Sequence, residues 1–165
     1  MMIALVFLAT YFTKIPIPAT QGYFNLGDTI ILVTAILLGA KSGLLVGAIG
    51  SLIADIAGGY YLFAPLTFIV KGLEGYVAGK IAFHKDCEKV EEFRKVFAVI
   101  IGAVAMASGY FIGEAYFLGL FDSTFGLTAA VAELPLNLIQ GGISAVVGYV
   151  LASILEKTGV SKYIN

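Results

Sequence analysis

The sequence predicts an all-α integral membrane protein, a six-transmembrane-helix bundle with both termini cytoplasmic. Three observations predict it. The mean hydropathy is +0.96 with only 13% charged residues, whereas the surface of a soluble domain brings charged residues to about a quarter of the chain. Apolar segments recur along the whole length. The basic residues fall almost entirely on one side once those segments are threaded through a bilayer.

The segments run over residues 2–14, 27–40, 42–58, 64–83, 96–120 and 128–156, in a single membrane domain covering 1–165. The first three are short against the roughly 20 residues of a perpendicular span. The N-terminus, Met1-Met-Ile-Ala-Leu-Val6, lacks a basic n-region and a small-residue cleavage site, so the first segment reads as a retained helix. Between the first two segments, Ile15 to Asp28 carries two prolines and two glycines and reads as an ordered loop. Lys41 marks the turn after the second segment, and Gly58 to Pro65 separates the third from the fourth. His84 to Lys95 reads as a charged loop, and Phe121 to Gly126 joins the last two segments.

With the N-terminus inside, Lys41, Lys80, Lys85, Lys89, Arg94, Lys95, Lys157 and Lys162 gather on the inner side. Lys14 alone is outside, and Lys71 lies within a span. Such a bias fixes orientation, and both termini inside require an even helix count. Small residues recur at helix-packing spacing, at Gly39, Gly43 and Gly47, at Gly50 and Ala54, at Gly109 and Gly113, and at Gly141, Ala145 and Gly148. They allow close helix approach where lipid supplies no hydrophobic drive.

The polar residues within spans carry the functional question. Glu133, Asn137 and Gln140 stand at i, i+4 and i+7, so a helix puts them on one face. Asp28 opens the second segment and Asp55 nearly closes the third. Lys71 and Glu74 lie about 9 and 14 Å below Pro65 on the helical rise, and Glu114 is six residues from the end of its segment. Facing lipid, Lys71, Glu74, Glu114 and Glu133 together would cost on the order of 10 kcal/mol. They should converge inward, in the outer half of the bilayer, around a cavity. The plainer alternative is that Lys71 and Glu74, at i and i+3, pair and staple the bundle. Tyr23, Phe24, Tyr60, Tyr61, Phe63, Tyr116, Phe117, Phe121 and Phe125 cluster at the outer loops, as an interfacial belt or as a mouth that stacks a planar ligand.

Several chemistries are excluded. Gly79-Lys80 lacks the preceding glycine and following hydroxyl of a phosphate loop. His84 and Cys87 lack further metal ligands, and a single cysteine excludes a disulfide framework. The net charge of −1 offers nothing to nucleic acid. An Asp28/Asp55 pair acting in intramembrane catalysis is conceivable, but neither residue sits in a catalytic motif.

Three stretches carry a family likeness: Gly22-Tyr-Phe-Asn-Leu-Gly-Asp28 after the Pro-rich loop, Gly50-Ser-Leu-Ile-Ala-Asp55 followed by Gly59 to Gly75, and Leu134-Pro-Leu-Asn-Leu-Ile-Gln-Gly141. Together they resemble the substrate-binding S components of energy-coupling factor (ECF) vitamin transporters, most closely the riboflavin-uptake branch. The resemblance implies six helices in a prokaryotic plasma membrane, a vitamin pocket near the extracellular side and a first loop acting as a lid. It implies partnership with a transmembrane T subunit and two cytoplasmic ATPases, with no enzymatic activity in this chain and no resident cofactor. The sixth-helix pattern is matched by Asn137-x-x-Gln140, with Gln140 where some relatives carry Lys. On the first helix, Ala4 is followed by Leu8 and Ala9, a departure from the paired small residues with which relatives meet the T subunit.

The expected ligand contacts are Tyr23, Asn25, Asp28, Lys71, Glu74, Glu114, Asn137 and Gln140. Riboflavin is the favoured cargo, with hydroxymethylpyrimidine, pyridoxine or pantothenate as alternatives on the same machinery. A stand-alone ion-coupled carrier, using the acids as proton relays, is the competing class.

Overall fold

A computed structural model describes residues 1–17, 22–82 and 90–158. Among the described residues the chain forms five helical elements: α1 (Met2–Phe12), α2 (Gly27–Gly58), α3 (Ala64–Ala82), α4 (Glu92–Ile112) and α5 (Leu127–Lys157). Strands β1 (Ile15–Ile17) and β2 (Gly22–Phe24) lie between α1 and α2, and α4 continues through a π-helical turn (Gly113–Phe117) and a 3₁₀ turn (Leu118–Leu120). Among the described residues, three stretches are long and apolar enough by length and composition to cross a membrane, Gly27–Gly58, Glu92–Leu120 and Leu127–Lys157.

Helix α2 does not run straight. Gly39 has φ 82° and ψ −178°, a left-handed backbone that a residue with a Cβ rarely adopts. A methyl at Gly43 would sit 3.0 Å from the Ala35 Cβ, and one at Gly47 would sit 3.2 Å from Ile31 Cγ2. In a straight helix those pairs would stand about 12 and 24 Å apart. The chain therefore folds back at Gly39, two residues before the turn expected at Lys41, into two antiparallel arms. The second arm packs on α3 with almost no side-chain thickness between them: a Cβ at Gly43 would collide with the Gly75 carbonyl, and one at Gly47 with that of Lys71. The small residues serve the close approach for which they were singled out.

The stretch expected to be an ordered loop is partly a β-hairpin. Ile15 pairs with Phe24, Pro16 with Tyr23 and Ile17 with Gly22, antiparallel. A two-stranded ribbon leaves every strand an edge, so the missing N–H of Pro16 costs no central ladder bond. Thr13 anchors the hairpin's base: its Oγ1 donates to Ala9 O at 2.6 Å and accepts from Leu26 N at 2.9 Å.

The interior divides by polarity. Away from the hairpin, Leu32, Ile36, Ala78, Ala98, Val99 and Ala152 form an apolar core. At the hairpin end the buried groups include Asp28, Asp55, Lys71, Glu74, Glu133, Asn137 and Gln140. Lys95 is an exception to the expected split and corrects the reading of His84–Lys95 as loop. It opens α4 from Glu92 onward with its ammonium buried, 2.7 Å from Glu92 Oε1 and 2.8 Å from Glu156 Oε2. Two carboxylates, Glu92 one turn earlier on the same helix and Glu156 on α5, compensate a charge that could not otherwise enter the bundle. His84, Lys85, Cys87, Lys89 and Lys162 lie outside the described residues.

Candidate functional site

The site is assembled on α5. Glu133, Asn137, Gln140 and Ser144 are all buried, which is the single inward polar face that their spacing predicts. Pro135 lies inside the helix; lacking an N–H, it leaves the Val131 carbonyl without its helical partner. Opposite this face stand Phe63 and, on α3, Thr67, Lys71 and Glu74, whose spacing likewise makes one stripe. Tyr110 of α4 closes the ring, donating from its hydroxyl to Thr67 Oγ1 at 3.1 Å.

Gln140 is the junction. Its Oε1 accepts from the Asn25 backbone N–H at 2.8 Å and from Asn25 Nδ2 at 3.4 Å, while its Nε2 donates to Asp28 Oδ2 at 2.8 Å. The other Asp28 oxygen accepts from the Lys71 ammonium, which also lies 3.8 Å from Glu74 Oε2. Asn25 turns its own Oδ1 to Gly27 N at 2.8 Å, fixing the exit of β2 into α2. One carboxamide thus couples the hairpin to a buried ion network.

A second contact fastens the hairpin on its far side. The Tyr23 hydroxyl donates to Asp55 Oδ1. Burial first, and the Asp55 charge after it, push the Tyr23 phenol up, so it stays protonated and acts as a donor. The Lys14 ammonium lies 4.3 Å from the Tyr23 ring and 4.5 Å from that of Tyr60, and donates to Ala54 O at 3.4 Å. Burial lowers the Lys14 pKa, and Asp55 opposes that shift.

Between hairpin and helices is a cavity lined by Gly22, Tyr23, Asn25, Phe63, Thr67, Tyr110, Glu133, Asn137 and Gln140. Its volume is about 20 Å³, room for about one water. The hollow expected from the sequence is therefore nearly closed, because the side chains of Tyr23 and Asn25 point into the space between α3, α4 and α5. Gly22 sits so tightly on Glu133 that any side chain there would collide with the carboxylate. Among the described residues, the Asn137 side chain makes no hydrogen bond, although the residue is only 8% exposed and lines this cavity.

The expected contacts thus separate into groups. Tyr23, Asn25, Asn137 and Gln140 meet at the cavity wall. Asp28, Lys71 and Glu74 come together one layer behind it, where Lys71 pairs chiefly with Asp28 rather than with Glu74. Glu114 is buried on the π-helical turn, within electrostatic reach of Glu133 but outside the wall. The wall adds Gly22, Thr67, Tyr110, Phe63 and Glu133 to the expected ligand contacts. A polar ring in the apolar run of α4 was the available signal for Tyr110; Phe63, Thr67 and Lys71 at four-residue steps was the signal for Thr67. Of the clustered aromatics, Tyr61, Tyr116, Phe117 and Phe121 face outward as a belt would, while Phe63 and Phe125 are buried.

An apolar bundle that encloses a polar chamber at one end, under a hairpin fastened at two points, is the architecture of a membrane protein that captures a small solute. The chain belongs to the ECF-type riboflavin transporter S component family, whose family model matches residues 1–157. It is 35% identical over 150 residues to a Pyrococcus woesei protein described as an uncharacterized protein in gap 3'region, covering 91% of this chain and 93% of the relative. It is 26% identical over 158 residues to the thiamine precursor transporter HmpT of Lactococcus lactis subsp. cremoris, covering 95% of this chain and 84% of that protein. The protein is thus an ECF transporter S component, a multi-pass protein of the prokaryotic cell membrane and not an enzyme. Asp28 and Asp55, conceivable as a catalytic pair, serve instead as acceptors for Lys71, Gln140 and Tyr23.

Proposed function

We propose that this chain is the riboflavin-binding subunit of an ECF importer, taking the vitamin from the extracellular side through the hairpin end. The observation that carries the cargo is the composition of the cavity wall, which combines the rings of Tyr23, Phe63 and Tyr110 with the carboxamides of Asn25, Asn137 and Gln140. Rings pack on a planar heteroaromatic, and carboxamides both donate and accept, as flavin carbonyls and ribityl hydroxyls require. The match of the riboflavin family model along the chain supports the same reading.

A flavin is far larger than the present cavity, so the hairpin withdraws to admit it. Withdrawal breaks the Gln140–Asn25 and Tyr23–Asp55 bonds, and the ligand offers Gln140 and Asn137 new partners. Asp28, Lys71 and Glu74 keep Gln140 oriented throughout, and Glu114 stands behind Glu133. Return of Tyr23 and Asn25 then shuts the vitamin away from water. No bond in the vitamin is made or broken. Import uses ATP hydrolysed by two cytoplasmic ATPases and transmitted through a transmembrane T subunit.

The same reading has six crossings in one domain, α1, the two arms of α2, α3, α4 and α5, with both termini cytoplasmic. The fold-back at Gly39 supports the count, and the basic residues gathered away from the hairpin support the orientation.

Purified protein tests the cargo directly. Bound riboflavin gives yellow absorbance and quenched flavin fluorescence; a colourless protein that also fails to quench added riboflavin removes this cargo and leaves the fold untouched. A thiamine precursor such as hydroxymethylpyrimidine is the second reading. It is favoured by the Glu133 carboxylate in the wall, which suits an amino-substituted pyrimidine, and by the similarity to HmpT. Competition by hydroxymethylpyrimidine for the same site distinguishes the two.

A further inference from the structure

At the end of the bundle away from the hairpin, a groove of about 480 Å³ opens where α2 folds back against α3. Its walls are Leu38, Ala40, Lys41, Tyr76, Gly79 and Lys80. The Gly79 Cβ position lies 2.5 Å from the Ala40 backbone, so α3 packs straight onto the turn, with Lys41 contributed by one element and Lys80 by the other. Both lysines are exposed, and among the described residues neither is in a salt bridge. The Lys80 ammonium lies 5.6 Å from the Tyr76 ring. Among the described residues, no carboxylate lines this groove.

The helix face leading away from the groove has the opposite character. Ile69, Leu73, Tyr76 and Lys80 stand at i, i+4, i+7 and i+11 on α3, one stripe of a helix. Ile69 is 65% and Leu73 46% exposed. The stripe runs about 16 Å from Lys80 to Ile69 on the helical rise, half of a hydrocarbon core of roughly 30 Å. Positive charge is confined to one end, and the rest is apolar for the depth of one leaflet.

We propose that this groove and stripe hold an anionic phospholipid, its phosphate between Lys41 and Lys80 and an acyl chain along Leu73 and Ile69. An amphiphile charged at one end matches the pattern; a protein helix would meet unpaired lysines only if it carried acids at that one end. The assignment is independent of the vitamin cargo.

Native mass spectrometry of the detergent-purified chain, titrated with phosphatidylglycerol or phosphatidylcholine of the same acyl chains, tests it. Phosphatidylglycerol should be retained preferentially, and Lys41→Gln and Lys80→Gln should each lower that preference about fivefold. Lys→Arg at either position should preserve it, and millimolar inorganic phosphate should not displace the lipid. Equal retention of both lipids, a preference untouched by the glutamines, or displacement by phosphate alone overturns the assignment. So does a Lys41→Gln/Lys80→Gln chain that keeps its lipid preference but no longer co-purifies with its membrane partner subunit, since the groove is then a protein contact.

Discussion

Gln140 of α5 joins Asn25 to Asp28, accepting from one and donating to the other at 2.8 Å each. Those two groups lie at the exit of the hairpin and in the first turn of α2, so a single carboxamide sets the distance between the lid and the buried charges. Gln140→Leu leaves a backbone N–H and a carboxylate oxygen unsatisfied inside the bundle. The expected result is a loss of roughly 1–3 kcal/mol in stability, read as a lowered thermal midpoint, together with at least tenfold weaker vitamin binding. A variant with wild-type midpoint and affinity would remove Gln140 from both roles.

Asn137 offers the complementary case. Its side chain makes no hydrogen bond with the described residues and lines the cavity, so its carboxamide has no partner to lose in the empty protein. Asn137→Leu should leave the unliganded midpoint within about 0.5 kcal/mol of wild type and weaken ligand binding by more than about 1 kcal/mol. Isothermal titration beside a thermal melt separates the two effects. Unchanged affinity places Asn137 outside the ligand's reach.

The Tyr23–Asp55 bond acts on rates. Tyr23→Phe keeps the ring against Lys14 and Tyr60 but removes the donor to a buried carboxylate. A hydrogen bond to a charged group contributes about 1.5–3 kcal/mol, so ligand release should accelerate by roughly ten- to a hundredfold in stopped-flow chase experiments. Equal release rates would show that the hairpin is held elsewhere.

Gly43 tests the packing of the fold-back. Gly43→Val forces a branched side chain into the Gly75 carbonyl and should cost 1–3 kcal/mol or more, visible as loss of monodisperse protein after extraction. Gly142→Ala, with nothing within 4 Å of the added methyl, should be silent. A well-behaved Gly43→Val protein would refute the tight contact between the second arm and α3.

Much of the architecture was legible from local pattern. The 3.6-residue period carries Glu133, Asn137 and Gln140 to one face, and the high cost of charge in lipid turns that face inward. The same cost argument foretold that Lys71, Glu74 and Glu114 would be buried. Other features carried no such local signal. The hairpin is built from two three-residue strands around prolines, too short for an alternating pattern. Among the glycines of Gly39, Gly43 and Gly47, spacing alone does not say which one turns the chain and which ones lie against α3.

What the sequence by itself determined was composition, depth and facing, because hydropathy and helical period act within a segment. Partnership was decided by the tertiary structure alone. Lys71 pairs more closely with Asp28 than with its own-helix neighbour Glu74, and Gln140 finds Asn25 across 115 positions. The chamber beneath the hairpin shrinks to about 20 Å³ for the same reason: its size depends on how side chains from separate elements fill a shared space, and no single segment encodes that.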